Sequence, residues 1–305
     1  PIALVISVIS FFFFALYQRD YYTLIQRTKP IKGILIALIV SIPWYLLELM
    51  KEGQPFWDSF FGYHNFQRLT SVVNSHSEPW WFFGLILIIS SLPFTPFLIL
   101  GLWNFLNSFI RSNNKISPEE SLFPFAGCWL ISVLLLFTCA ATKLPSYWLP
   151  ATPPAAIIIG LTSSNIKIDN LKNGISLSFS AFIIFTLAVT LWIAEVWIYK
   201  INDPEMPNLS NAVLSSGIHL RGAILLLLTS LIGFYLVKIK AKNKLFIMQI
   251  PLILFQLFFM LPLWSIGDNL RQLPLRKVSS LIVSSKLESE PIAMVGINKP
   301  SLHFY

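Results

Sequence analysis

Apolar runs of about 20 residues recur along this chain, and they limit what it can fold into. A helix needs roughly that length to cross the hydrocarbon core of a bilayer, whereas the helices of soluble domains are apolar on one side only. We count eight such runs, at residues 1–17, 31–49, 81–103, 122–141, 147–162, 175–199, 219–237 and 245–266. The sequence therefore predicts an all-α polytopic membrane protein built as a bundle of transmembrane helices.

The scarcity and placement of charged residues support a membrane protein and argue against a nucleic-acid-binding protein. They make up 12% of the 305 positions, and the mean hydropathy is +0.68. Soluble domains carry about 25% charged residues. The net charge of +8 does not indicate binding to nucleic acid, because the Lys and Arg residues lie in short loops between the apolar runs.

The basic residues also predict the orientation of the spans, because they are concentrated in alternate loops. Those loops contain Arg19, Arg27, Lys29, Lys32, Arg111, Lys115, Lys167, Lys172, Lys238, Lys240, Lys242 and Lys244. Basic loops favour the cytoplasmic side. The opposite connections, which include residues 50–80 and the link around Lys143, are then expected on the extracytoplasmic side of the plasma (inner) membrane.

Two boundaries follow from the same pattern. We expect a transmembrane region over residues 1–266 and the beginning of a soluble periplasmic domain over 267–305. Pro1 begins inside an apolar run and the last residues alternate like a strand that has just started, so we expect the sequence to be part of a longer protein. Pro93 and Pro96 in the third run predict a kink or break of that helix.

A polar insertion, GQPFWDSFFGYHNFQRLTSVVNSHSEPW, occupies residues 53–80 between two apolar runs. His64 and Arg68 stand four positions apart, so a helix would place them on one face. A neutral imidazole can bind a divalent metal, and a guanidinium can hold a phosphate. We interpret this insertion as part of an active site.

The insertion has an alternative interpretation as an interfacial amphipathic helix. In that case Phe60, Phe61 and Phe66 would enter the lipid, while His64 and Arg68 would merely face the headgroups. A single His is a weak indication of a metal site, and the sequence alone leaves both interpretations open.

A second candidate is the segment TKLPSYWLP, which starts at Thr142. Its prolines exclude a regular helix, and irregular backbone at a membrane edge is tolerated where protein or a water-filled cavity covers it. Lys143 could neutralise a phosphate, and Tyr147 could donate a hydrogen bond to it. The alternative is a tight turn from which Lys143 extends to the interface.

The other polar residues carry weaker predictions. The acids Glu48, Glu52, Asp58 and Glu78 are expected mainly as solvated loop charges or helix caps, and no catalytic residue is assigned among them. His76 could line the same site as His64. The remaining pairs are expected to be structural: His219 and Arg221 as interfacial anchors, Cys128 and Cys139 as core residues.

Several of these motifs together resemble a known family. They are KPIKGILIALIVSIPWYLLELMKEGQPFWDSFFGYHNFQRLTS, PWWFF, TKLPSYWLPATPPAAI and the closing KPSLHFY. In this order they resemble the bacterial ArnT-like glycosyltransferases, which belong with the dolichyl-phosphate-mannose protein mannosyltransferases in a membrane superfamily of the GT-C fold.

The resemblance implies a function and a set of site residues. It implies transfer of a sugar from a polyprenyl-phosphate donor, such as an undecaprenyl-phosphate sugar, to a lipid or protein acceptor. Arg68, Lys143 and Tyr147 would bind the donor phosphate, and His64 would bind a divalent metal, Zn or Mg/Mn. The catalytic Asp of the family has no counterpart in this sequence, and it would lie in an N-terminal part that precedes it.

Two other functions stay open at this stage. A polyprenyl-lipid flippase or transporter could use the same basic residues, although it would favour paired broken helices or an inverted repeat, and no such symmetry is apparent. A non-catalytic fragment is the other alternative. We expect the full-length protein to be an enzyme and this segment by itself to be inactive.

Overall fold

The computed structural model of the protein describes residues 2–19, 21–73, 77–111, 117–164, 170–201, 203–239 and 243–285. These residues form helices and connecting turns, with no strand among them. The α-helices are α1 (Ile2–Gln18), α2 (Tyr21–Thr28), α3 (Pro30–Glu52), α4 (Gln54–Trp57), α5 (Arg68–Thr70), α6 (Phe82–Ser90), α7 (Thr95–Arg111), α8 (Leu122–Cys139), α9 (Thr152–Ser164), α10 (Asn170–Trp192), α11 (Ala194–Trp197), α12 (Leu209–Ser215), α13 (Ile218–Lys238), α14 (Lys244–Phe255), α15 (Leu261–Arg271) and α16 (Leu273–Ser285).

Wider and tighter helical turns interrupt this series. π-Helical segments span Asp58–Gln67 and Gln256–Met260, and 3-10 turns span Pro118–Glu120, Pro145–Ala151 and Ile198–Lys200. The chain divides into two compact units, Pro1–Ser180 and Ala181–Tyr305.

The membrane-protein prediction is confirmed. Within the described residues, five helical stretches are long and apolar enough to cross a membrane: Tyr21–Glu52, Leu122–Cys139, Lys172–Trp192, Ile218–Lys238 and Lys244–Arg271. Ile2–Gln18 and Thr95–Ile110 are shorter apolar helices. The expected count of eight spans therefore stays a prediction.

The break in the third predicted span is confirmed and has a simple cause. Helix α6 ends at Ser90 and α7 begins at Thr95, with Pro93 in the bend between them. Proline lacks the N–H that an interior helical position must donate. The Thr95 hydroxyl donates to the carbonyl of Ile88 at 2.8 Å, which satisfies one of the carbonyls at the end of α6.

Helix α8 is the centre of the first unit. Its buried residues Leu130 and Val133 belong to one cluster with Phe83 of α6 and Ile158 of α9. On another side Cys128 packs with residues of α1 and α7, which confirms it as a core residue. Cys139 is exposed instead, and both thiols are free.

Small residues bring the helices of the second unit close together. A Cβ built on Gly233 of α13 would lie 2.9 Å from the Ala181 Cβ and 3.1 Å from Met248 Cε. One turn away, the Ser230 hydroxyl donates to the Ala181 carbonyl at 2.9 Å. Lipid tails are as apolar as these side chains, so apolar burial alone does not favour contact between membrane helices. Small residues let the helices approach closely and gain packing contacts instead.

One expectation for the second unit was wrong. His219 is only 3% exposed and so is a core residue rather than an interfacial anchor. It lies on the face of α13 that also carries the buried Gly222 and Leu226. Arg221, on another face, is exposed and donates to the Ser216 carbonyl at 2.8 Å.

The predicted soluble domain at 267–305 is not tested. Helix α15 continues past the predicted boundary to Arg271, and α16 follows to Ser285. The residues beyond, including the predicted strand and the closing KPSLHFY motif, lie outside the described residues.

We predict that Gly101→Ala destabilises the first unit. The added Cβ would lie 2.4 Å from Ile158 Cγ2 and 2.5 Å from Thr162 Oγ1, so α7 and α9 would have to separate. Overpacking of this kind costs about 1–3 kcal/mol. Thermal unfolding of the full-length protein in detergent should show a lower midpoint.

The matched control is Gly160→Ala on α9, where nothing lies within 4 Å of the added Cβ. This variant should unfold at the wild-type temperature or above it, because Ala favours helix by about 1 kcal/mol over Gly. Equal effects of the two substitutions would contradict the close packing of α7 on α9.

Candidate active site

The insertion folds into short helical segments that begin at a turn only glycine adopts readily. Gly53 has φ 64°, and its N–H donates to the Leu49 carbonyl at the end of α3. A side chain would be strained in this left-handed conformation. Helix α4, the π-helix Asp58–Gln67 and helix α5 follow directly.

Aromatic rings in tilted and edge-on contact hold the first part of the insertion against the last third of α3. Phe60 lies 5.7 Å from Tyr45 and 6.3 Å from Trp44 between ring centroids, and Phe61 lies 5.8 Å from Tyr45. Phe60 and Phe61 therefore pack within the protein. Only Phe66 of the three Phe residues considered for lipid contact is largely exposed, at 68%.

His64 and Arg68 both lie on this helical segment, as predicted, but they have different surroundings. In a π-helix the hydrogen bonds run from i to i+5, so positions four and five apart lie on nearly the same side. His64 is exposed, with its ring edge-on to Tyr63 at 5.0 Å. Arg68 begins α5 and is half-buried.

Arg68 joins the two motifs that the sequence analysis singled out. Its Nη1 donates to the hydroxyl of Tyr147 at 3.2 Å, across 79 positions of sequence. Its guanidinium carbon also lies 5.9 Å from the centroid of the Tyr63 ring, a cation–π geometry. Arg68 Nε is buried and has no hydrogen-bond partner among the described residues. A donor so placed can hold an acceptor brought by a ligand.

Thr142 and the residue before it fasten the start of the TKLPSYWLP segment to residues 68–73 of the insertion. Its N–H donates to the Arg68 carbonyl at 3.0 Å, and the preceding N–H of Ala141 donates to the Leu69 carbonyl at 3.0 Å. Its hydroxyl donates to the Ser71 carbonyl at 2.9 Å and accepts from the Val73 N–H at 3.0 Å. We call this set of four hydrogen bonds the Thr142 clasp.

The ring of Tyr147 is held in place by packing against α8. Its ring stacks on Phe137 of α8, with centroids 5.0 Å apart and 29° between the planes. The next residue, Trp148, is buried in the main cluster of the first unit. The 3-10 turn Pro145–Ala151 confirms that this segment is irregular, as its prolines predicted. Tyr147 therefore presents its hydroxyl to Arg68 from a fixed ring.

Lys143 lies near Arg68 because the preceding residue, Thr142, is hydrogen-bonded to the Arg68 backbone. It directly follows Thr142, whose N–H bonds to the Arg68 carbonyl, and its side chain is half-buried. No ion pair or hydrogen bond joins Lys143 to another described residue. The structure thus places Arg68 and Tyr147 in direct contact, with Lys143 one residue from the clasp.

The described residues do not complete a metal site. They contain no group of three His, Cys, Asp or Glu side chains close enough to hold a metal ion. Glu52 instead lies 3.5 Å from Lys51, and Asp58 accepts from Gln54 at 2.9 Å, as expected for solvated charges. His76 lies outside the described residues. His64 by itself is a single candidate ligand.

Sequence reasoning missed three residues that build this site. Thr142 supplies the clasp, Tyr63 faces the guanidinium of Arg68, and Phe137 supports the ring of Tyr147. Tyr63 and Thr142 lie inside the quoted motifs, directly beside His64 and Lys143. No feature of the sequence assigned them a partner: those of Thr142 lie about 70 positions away, and spacing alone does not show which rings meet Arg68 or Tyr147.

We predict that Thr142→Val loosens residues 68–73 of the insertion. Valine keeps the shape of threonine but leaves the buried Val73 N–H without its acceptor. An unpaired buried donor costs about 1–3 kcal/mol, which corresponds to about 5- to 150-fold faster local hydrogen exchange. Amide exchange of residues 68–73, followed by mass spectrometry on the full-length protein, measures this change.

Thr142→Ser is the control, since serine retains the hydroxyl. Its exchange rates at residues 68–73 should stay within a few-fold of wild type, whereas a loss as large as that of Thr142→Val would show that the methyl group, not the hydroxyl, secures this segment.

The chain is similar to known proteins over part of its length. No protein-family model matches the chain. An uncharacterized protein of Aquifex aeolicus is 30% identical over 156 residues, 50% of this chain and 33% of that protein. The undecaprenyl phosphate-alpha-4-amino-4-deoxy-L-arabinose arabinosyl transferase 2 of Pseudomonas fluorescens is 31% identical over 131 residues, 42% of this chain and 22% of that protein.

A solved structure extends the likeness to nearly the whole chain. It is ArnT from Cupriavidus metallidurans bound to undecaprenyl phosphate, which matches with a TM-score of 0.74 and 18% identity, over 99% of this chain and 51% of that one. The chain spans a third or less of the length of the curated relatives named above. It therefore has the GT-C fold of ArnT, and its resemblance to the ArnT-like glycosyltransferases is confirmed in sequence over about half of its residues.

Proposed function

We propose that the full-length protein is a membrane glycosyltransferase that moves a sugar from a polyprenyl-phosphate donor to an acceptor. The observation that carries this proposal is the contact between Arg68 and Tyr147, which joins the insertion to the TKLPSYWLP segment. The arabinosyl transferases that resemble the chain are named for an undecaprenyl phosphate donor, and the similar ArnT structure contains undecaprenyl phosphate. We infer a donor of the same class here.

The chemistry of the site suits a phosphate. A guanidinium offers several N–H donors in a planar fork that matches phosphate oxygens. Tyr147 and Tyr63 fix the orientation of that fork, and the buried Nε of Arg68 has no partner in the described part of the protein. Lys143 adds a second positive charge whose flexible stem can reach a bound anion.

The reaction that we propose is one direct displacement. The acceptor hydroxyl attacks the anomeric carbon, the bond from that carbon to the phosphate oxygen breaks, and its electron pair stays on the phosphate. The hydroxyl proton passes to a carboxylate base. As the phosphate leaves it gains negative charge, and Arg68 and Lys143 stabilise that charge. A single displacement inverts the configuration of the sugar.

The base and the metal are not assigned to described residues. We propose that this segment by itself transfers no sugar, because the resemblance gives it no counterpart of the family's catalytic Asp. His64 stays a predicted ligand for a divalent metal, Zn or Mg/Mn. The described residues contain no group of three possible metal ligands, and no step of the proposed reaction is routed through a metal.

We propose that the site faces the extracytoplasmic side of the plasma membrane. The support is the distribution of Lys and Arg, which favours the opposite loops in the cytoplasm. A membrane-anchored donor suits that side, because nucleotide sugars are not available there. The acceptor, a lipid or a protein, is left open by the chemistry of the described residues.

We predict that Arg68→Ala and Lys143→Ala each abolish most sugar transfer. Removing one group that stabilises the charge of a transition state lowers the rate about 100- to 1,000-fold. The assay follows radiolabelled sugar from undecaprenyl phosphate into an acceptor, with full-length protein in proteoliposomes. Lys51→Ala is the control, because that side chain is 77% exposed and lies outside the clasp.

The outcomes separate three functions. Transfer that survives both substitutions would retain the enzyme but refute this phosphate site. Movement of the lipid between leaflets with no transfer to any acceptor would favour a flippase. Transfer lost in both variants but retained in Lys51→Ala supports the proposal.

A separate prediction concerns the orientation of Arg68. Tyr147→Phe should keep the stacking on Phe137 but remove the oxygen that accepts from Arg68. A hydrogen bond to a charged group contributes about 1.5–3 kcal/mol, so kcat/KM for the donor should fall about 10- to 100-fold with an unchanged unfolding temperature. Initial rates and thermal unfolding of the same preparation check both parts. Wild-type kinetics would show that Tyr147 does not position Arg68.

A further inference from the structure

Helix α2 is a short element whose apolar side is only partly covered by protein. Leu24 is buried in a cluster with residues of α1, α7 and α8. Three larger apolar side chains on the same helix are exposed: Tyr21 at 48%, Tyr22 at 75% and Ile25 at 50%. Docking through Leu24 thus fixes the helix on the bundle and leaves an apolar strip uncovered.

The side of α2 opposite the exposed apolar strip is polar. Successive residues of an α-helix are rotated by about 100°, so Tyr21, Ile25 and Tyr22 fall on adjacent sides. Thr23 and Arg27 fall on the opposite side. This one-sided pattern on a short helix is typical of elements that lie in a membrane interface, where one side meets acyl chains and the other meets water.

Both ends of α2 are turned by basic residues in a left-handed conformation. Arg19 has φ 51° and Lys29 has φ 45°. Their N–H groups donate to the carbonyls of Ala15 and Ile25, each at 3.0 Å, which ends the preceding helices. Glycine is the usual residue at such positions, because a side chain is strained there. The two turns separate α2 from α1 and from α3, so it is not a continuation of either helix.

Positive charge surrounds this helix. Arg27, Lys29 and Lys32 are all exposed. Asp20 is the single acid in the first 47 residues of the sequence. Helix α3 is apolar and has 23 residues, enough to cross a membrane. A span that begins with α3 would place its first turn and the preceding α2 at the level of the headgroups.

We propose that α2 lies in the membrane interface and, with Arg27, Lys29 and Lys32, binds the headgroups of anionic phospholipids. The apolar strip enters the boundary of the acyl chains, and the three cations meet the lipid phosphates. Basic clusters beside a transmembrane helix are attracted to negative membrane surfaces in this way. Charge complementarity selects this partner over a neutral lipid surface.

The test measures how deeply α2 is immersed. Nitroxide labels are attached to Ile25→Cys and, as the matched position, Gln26→Cys, in full-length protein whose other reactive cysteines are replaced. Accessibility to oxygen and to a water-soluble nickel chelate is measured in vesicles of phosphatidylcholine with increasing phosphatidylglycerol. The Ile25 label should be oxygen-accessible and the Gln26 label nickel-accessible, and immersion should increase with phosphatidylglycerol.

Charge variants test the partner. Each charge removed should weaken headgroup binding about fivefold, so Arg27→Gln/Lys29→Gln/Lys32→Gln should show no response to phosphatidylglycerol. High salt should reduce the wild-type response. The control, Lys51→Gln/Lys200→Gln/Lys277→Gln, removes three exposed cations from other segments and should respond as wild type.

Lys29→Gly separates binding from folding. Glycine suits the left-handed turn, so thermal stability should be equal or higher while the response to phosphatidylglycerol weakens. Equal accessibility at Ile25 and Gln26 would overturn the proposal. Immersion that is independent of phosphatidylglycerol, or that is lost equally in the control triple variant, would overturn it too.

Discussion

Backbone N–H and C=O groups in apolar surroundings must find their partners within the protein, and this constraint governs the whole structure. It makes the spans helical, since a helix satisfies its own backbone. It also marks the places where the chain leaves helical geometry, because the freed groups there need other partners. At the bend before α7 the Thr95 hydroxyl bonds to the Ile88 carbonyl. At the end of α8 the Thr142 clasp provides several such bonds at once.

The candidate site lies where these exceptions meet. The end of α8 cannot continue through the prolines that follow Thr142, so its next N–H groups bond to carbonyls of the insertion. That same pairing brings Arg68 to Tyr147. A requirement of folding thus also orients the guanidinium, and the two roles cannot be separated by removing Thr142 alone. For this reason Tyr147→Phe is the sharper probe of Arg68, since it leaves the clasp intact.

The two motif regions differ in how they are supported. Tyr147 rests on α8 through Phe137, and Trp148 is buried beside it, so that side of the site is rigid. The insertion is held near its start by rings packed on α3 and over residues 68–73 by the clasp, with His64 exposed between them. A packed side that orients Arg68 and an exposed segment beside it suit the large lipid-linked donor that we propose.

The sequence by itself determined the class of protein, the break at Pro93, the insertion and the motifs that carry the resemblance, because these depend on composition, spacing and local sterics. His64, Arg68, Lys143 and Tyr147 could be named from it, but not which of them meet. Only the tertiary structure decided that Arg68 contacts Tyr147, that Thr142 holds the insertion and that His219 is buried. These outcomes depend on contacts between positions far apart in the chain, and periodicity carries no information about which faces of two helices come together.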